Sequence, residues 1–98
     1  MRVRFADESL ERLETDPGYG AGFGRDVVRK FRKLMQVIRL ALHERDFYAM
    51  KSLHYEKLKG KRSHERSMRL NLQFRLILEI EHSNGNTVVI VSISKHYE

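Results

Sequence analysis

Two arginines, Arg69 and Arg75, stand six positions apart in segments where polar and apolar residues alternate. Met68 and Leu70 alternate with Arg69 and Asn71; Phe74, Leu76, Leu78 and Ile80 alternate with Arg75, Ile77 and Glu79. A period of two predicts strands, with both arginines on the face opposite Met68, Leu70 and Phe74. Arginine within a sheet is expensive unless its head group reaches solvent or a partner. From adjacent antiparallel strands the two converge on one face, where their forked donors suit a phosphate. The same pattern also fits ordinary solvent-facing residues of a half-exposed sheet. Just upstream, Lys57, Lys59, Lys61 and Arg62 place four cations in six positions. Such a run suits a phosphate backbone, and equally a solubilising loop.

Histidine is the other residue type with chemistry to offer. His43, His54, His64, His82 and His96 show no His-x-x-x-His spacing and no accompanying cluster of carboxylates. That argues against a metal centre and against a two-metal nuclease. His54, His64 and His96 flank the basic segment, and Tyr97 follows His96. Histidine titrates near neutrality and is the usual proton carrier, although an isolated one is commonly structural or merely exposed. No nucleophile-elbow motif and no phosphate-cradling glycine loop occurs.

The elements that must position these groups follow from periodicity. Arg2 to Phe5 alternates and reads as a short strand; Asp7 is a good N-cap for one or two helical turns through Leu10 and Leu13. Thr15 to Gly24 holds the only proline and four of the six glycines, which marks a loop. Val27, Val28, Phe31, Leu34, Met35, Ile38, Ala41 and Leu42 then recur at three- and four-residue steps, with Arg25, Arg29, Lys33 and Arg39 opposite. This is an amphipathic helix able to cover a sheet. A shorter helical piece is expected over Asp46–Ser52, then an exposed connection or edge from Leu53 to Ser63. Ser83-Asn84-Gly85-Asn86 carries the Asn-Gly pair of tight hairpin turns, and the β-branched run Thr87–Ile93 should be a buried strand. The expected architecture is α+β, in the order β-α-α-β-β-β, with a C-terminal antiparallel meander under the long helix.

Ninety-eight residues suit one domain, 1–98. An apolar fraction of 41% with 33% charged residues fits a folded chain rather than a disordered one. No apolar run is long enough to span a bilayer, the N-terminal segment lacks a signal-peptide core, and the absence of cysteine excludes disulfides. A cytoplasmic location is the expectation. The net charge of +6 is concentrated: Arg45 to Arg75 holds nine Lys/Arg against Asp46, Glu56 and Glu65, while the remainder has ten bases and ten acids. Such asymmetry attracts polyanions, nucleic acid above all, or an acidic protein.

The stretches Ser52-Leu53-His54-Tyr55-Glu56-Lys57-Leu58-Lys59-Gly60 and Ser67-Met68-Arg69-Leu70-Asn71-Leu72-Gln73-Phe74-Arg75-Leu76-Ile77 carry a family likeness. In them the chain resembles the RelE/ParE toxin superfamily, and within it the HigB-like branch of type II toxin-antitoxin systems. The resemblance implies a RelE-like fold, a small antiparallel sheet packed against two N-terminal helices. It also implies a bacterial toxin, neutralised by a cognate antitoxin, that cuts mRNA at the ribosome without metal or small-molecule cofactor. ParE-like relatives instead inhibit DNA gyrase without catalysis, which is the alternative reading.

Position by position, Lys59 matches the lysine of Leu-Lys-Gly, and Arg69 and Arg75 match the strand arginines. Asn71 and Gln73 are expected to shape the turn between strands. HigB-like chains often end Asp-Tyr-His, where this one has Lys95-His96-Tyr97, and often carry a histidine at the position of Glu56. The implied catalytic set is Arg75, Arg69, His96, Tyr97 and Lys59, with Lys57, Lys61, Arg62 and His54 holding RNA. Arg75 and Arg69 would stabilise charge on the phosphate, His96 or His54 would move protons, and Tyr97 would stack on a base.

Overall fold

The computed structural model describes residues 1–83 and 86–95. Strand β1 (Arg2–Phe5) leads into α1 (Glu8–Thr15), where the Asp7 carboxylate accepts the Ser9 N–H at 2.8 Å and so caps an orphan donor. After the glycine-rich loop comes α2 (Arg25–Leu40), then α3 (Arg45–Ala49) and a 3-10 turn over Lys51–Leu53. Four strands follow: β2 (Glu56–Lys57), β3 (Glu65–Arg69), β4 (Phe74–Glu81) and β5 (Thr87–Lys95), with a second 3-10 turn, Gly60–Arg62, between β2 and β3.

The strands form one sheet in the order β1-β5-β4-β3-β2. β3, β4 and β5 make the expected antiparallel meander, and β2 adds antiparallel at its edge. β1 joins β5 in parallel, so the sheet is mixed; the helices between β1 and β2 supply the long connection that a parallel partner needs. The core lies between one sheet face and the helices. Phe31, Leu34, Met35 and Ile38 of α2 pack there with Leu10, Leu13, Phe47, Met68, Leu76, Leu78, Val88 and Ile90. The opposite sheet face carries Arg75, Ile77, Ser67 and Arg69, which register places across from one another.

Two sequence expectations need correction. The long helix stops at Leu40, so Leu42, read as part of its apolar face, lies outside it and is 76% exposed. The cause is local: the Asp46 carboxylate accepts the N–H groups of Leu42 and His43, both at 3.1 Å, and opens α3 there. The second helical piece is correspondingly split into α3 and the 3-10 turn. The predicted Asn-Gly turn falls on Asn84 and Gly85, outside the described residues.

Candidate active site

The open face of the sheet becomes a site because β5 changes phase. Val88 and Ile90 face the core; continued alternation would send Ser92 and Ser94 there too. A β-bulge between Ile77 and Leu78 shifts the register, pairing Ile90 with Leu78 but Ser92 with Ile77, Ile93 with Leu76 and Ser94 with Arg75. Ile93 thereby packs against the core, and Ser94 joins Arg75 on the open face.

Arg75 is the centre of that face. Although charged, it is only 7% exposed. Its Nη1 donates to Ser67 Oγ at 3.1 Å and to the His54 carbonyl at 3.4 Å, and its Nη2 lies 3.8 Å from Glu56 Oε1. The guanidinium is thus fixed from three sides. A cleft of about 210 Å³ opens beside it. Arg62, Lys95 and Glu56 supply the charged rim, and Ser67, Ser94, Ile77 and Leu58 complete the walls.

The wall made by residues 54–57 is anchored from behind. Tyr55 is buried among Phe47 and Tyr48, and its hydroxyl donates to Glu44 Oε2 at 2.8 Å. Arg66 Nε donates to the same oxygen at 3.0 Å. Burial, and then the Glu44 hydrogen bond, hold the Tyr55 hydroxyl far above the usual tyrosine range, so it stays protonated. Burial opposes the charge on Arg66, but Glu44 more than offsets it and the pKa is raised. His54 adopts a left-handed backbone conformation (φ 48°), which turns its carbonyl to Arg75 while its Nε2 sits 3.4 Å from Arg69 Nη1.

Of the sequence-expected residues, the fold brings Arg75 and Arg62 to the cleft and sets Arg69 and His54 beside it. Arg69 is in direct register with Arg75, as the alternation required. Lys57, Lys59 and Lys61 are exposed along β2 and the turn after it, outside the cleft lining. His96 and Tyr97 lie outside the described residues. Asn71 shapes the β3–β4 turn as expected: its Oδ1 accepts the N–H of Gln73 at 2.8 Å and of Phe74 at 2.7 Å. Gln73 contributes through that backbone N–H.

Sequence reasoning did not assign Glu56, Ser67, Ser94 and Lys95 to the site. For Ser94 and Lys95 the signal was present, since the apolar phase switches from even to odd numbers between Ile90 and Ile93. The fold also gathers His64, Glu65 and Glu79, with ligand atoms within 4.8 Å of one another, a grouping that histidine spacing alone did not suggest. Glu65 there already receives a hydrogen bond from Arg62.

A mixed five-stranded sheet with helices packed on one face is the α+β fold of solved RelE-like toxins. Three solved structures share it. The YoeB-YefM complex from Staphylococcus aureus superposes with a TM-score of 0.61 at 23% identity, covering 99% of this chain and 98% of that one. YafQ from E. coli gives 0.60 at 11% identity (98% and 94%), and the YoeB/ParE toxin from Agrobacterium tumefaciens 0.58 at 18% (99% and 100%). The chain matches no curated protein sequence. Residues 3–96 match the HigB-like toxin model, described as the RelE-like toxin HigB of type II toxin-antitoxin systems, and the chain belongs to that family.

Proposed function

We propose that this toxin arrests translation by cutting mRNA on the ribosome, without a metal, at the cleft around Arg75. The observation that carries the reading is Arg75 itself: a guanidinium with three fixed partners, beside a cleft whose rim adds Arg62 and Lys95. Holding a cation on a buried sheet face is costly unless its charge is used, and a transferring phosphate uses it.

In the proposed reaction the ribose 2′-oxygen attacks the adjacent phosphorus and the bond from phosphorus to the 5′-oxygen breaks. The products are a 2′,3′-cyclic phosphate and a 5′-hydroxyl. A base takes the 2′-hydroxyl proton and an acid protonates the departing oxygen. In this reading Glu56, whose carboxylate lies 3.8 Å from Arg75 Nη2, takes the proton as the base, and His96 and Tyr97 supply the acid and a stacking surface. Arg75, with Arg62 and Arg69, stabilises the charge that builds on the phosphate, while Lys57, Lys59, Lys61 and His54 grip the strand. A cognate antitoxin is the expected partner, as in the YoeB-YefM complex, and the cytoplasm the expected site of action. No described helix is long and apolar enough to cross a membrane.

The test is a purified reaction with translating ribosomes, comparing wild type, Arg75→Lys and Glu56→Gln. Arg75→Lys keeps the charge but loses the fork, and cleavage should fall at least tenfold. Intact mRNA with wild type, together with growth arrest in cells, would favour the gyrase-type inhibitor instead.

A further inference from the structure

Histidine spacing along the chain argues against a metal centre, yet folding brings three potential ligands together across a strand pair. Glu65 of β3 and Glu79 of β4 are in direct register, so both project from one sheet face, the face that carries Arg75. His64 belongs to the turn that precedes β3 and escapes the alternation of the strand. Its ring comes to the same side, and ligand atoms of all three residues lie within 4.8 Å of one another.

Like charges directly opposite one another on neighbouring strands weaken a sheet. The setting makes this pair costlier still. Glu65 is buried and Glu79 half-buried, and on its other side Glu79 is in register with the buried Val89. One cation answers the two anions: Arg62 Nε donates to Glu65 Oε1. Among the described residues Glu79 forms no ion pair, and neither does His64.

An imidazole nitrogen with two carboxylate oxygens is a ligand set for zinc or a similar divalent transition metal. Magnesium and calcium take oxygen ligands instead. Three protein ligands leave a fourth tetrahedral position for water. Bond lengths of about 2.0–2.2 Å set neighbouring ligand atoms about 3.5 Å apart, and rotation of the exposed His64 ring closes the difference.

We propose that His64, Glu65 and Glu79 form a binding site for a divalent transition-metal ion, zinc by its ligand chemistry, which competes with Arg62 for the Glu65 carboxylate. A dication between the two carboxylates turns their repulsion into two attractions. None of the three ligands lines the Arg75 cleft, so the ion takes no part in the chemistry proposed there. Arg62 does line it, and a loaded site releases that guanidinium toward the phosphate. Metal binding stands independently of the RNA-cleavage reading; the consequence of the release rests on it.

The experiment titrates Zn²⁺ into the full, untagged, metal-stripped chain by calorimetry, with Co²⁺ absorption reporting the coordination and Mg²⁺ as the oxygen-seeking control. Wild type, His64→Ala, Glu79→Gln and Arg62→Ala are compared. His64 is exposed and glutamine has the shape of glutamate, so both ligand variants keep the fold, which thermal unfolding without metal checks. Wild type should take up a single equivalent of zinc and show the visible Co²⁺ bands of a low-coordinate site. His64→Ala and Glu79→Gln should each bind at least tenfold more weakly, since losing merely a ligand's hydrogen-bond partner costs that much. Arg62→Ala should bind about two- to fivefold more tightly, the size of a partly exposed ion pair. No zinc uptake by wild type overturns the site, as does equal binding of magnesium. Weakening by His64→Ala but not by Glu79→Gln overturns it too, reducing it to one surface histidine. Unchanged or weaker binding by Arg62→Ala overturns the competition. No RNA enters the measurement, so its failure leaves the cleavage reading standing, and a toxin that cuts no mRNA leaves the metal site standing.

Discussion

Removing the Glu44 carboxylate should loosen the wall of the cleft from behind. Glu44→Ala strips the Tyr55 hydroxyl and the Arg66 guanidinium of their shared acceptor. Tyr55 is 8% exposed, and a hydrogen bond to a charged group at such a site contributes about 1.5–3 kcal/mol. The Arg66–Glu44 pair, with side chains 18% and 23% exposed, adds about 1 kcal/mol or less after solvent screening. The sum, about 2–4 kcal/mol, corresponds to a fall in Tm of roughly 10–20 °C for a chain of this size. Tyr55→Phe alone should cost less, because Glu44 keeps Arg66. The assay is thermal and urea unfolding of both single variants and the double variant. A coupling energy of about 1–2 kcal/mol between positions 44 and 55 is expected, since they share one bond. Faster amide exchange at residues 54–58 should accompany it, because the His54 carbonyl and Glu56 flank Tyr55 on the cleft wall. Additive effects, with coupling below about 0.3 kcal/mol, would refute the reasoning.

Asn71→Ala removes the acceptor for the Gln73 and Phe74 N–H groups and should cost about 1–2 kcal/mol, read by urea unfolding, with the β3–β4 turn exchanging faster. On the acid side, the His43 and Leu42 N–H groups hold the Asp46 carboxyl below its ordinary value, and Gly18 and Asn71 do the same for Asp16 and Asp26. Their folded pKa values lie below the unfolded ones, so their stabilisation is present at neutral pH and is lost as pH falls below about 4. Asp46→Asn should flatten that part of the profile of Tm against pH. On the alkaline side, the raised Tyr55 pKa gives stability that is complete below about pH 10 and is lost as pH rises further; Tyr55→Phe should remove that slope.

What the sequence shows and what it conceals have separate physical causes. Alternation in 68–80 placed Arg69 and Arg75 on one face, because a strand's period leaves no freedom once Met68, Leu76 and Leu78 must be buried. The α2 stripe was equally readable. Its end was not, because a side chain six positions beyond Leu40 captures the backbone there. The parallel pairing of β1 with β5 joins segments more than eighty residues apart, a distance over which local pattern says nothing. The burial of Arg75 was hidden for a related reason: its partners come from two other segments, His54 and Glu56 from the cleft wall and Ser67 from β3. Ser94 reached the site through a bulge visible only as a change of phase.

The most direct measurement of the central claim is a map of 5′ ends across the transcriptome after induction. Wild type would be compared with Arg75→Lys, each with and without the neighbouring open reading frame. New 5′-hydroxyl ends inside translated frames are predicted for wild type, suppressed by the neighbour's product and strongly reduced in Arg75→Lys. Growth arrest with intact mRNA, or cleavage undiminished in Arg75→Lys, would contradict the account.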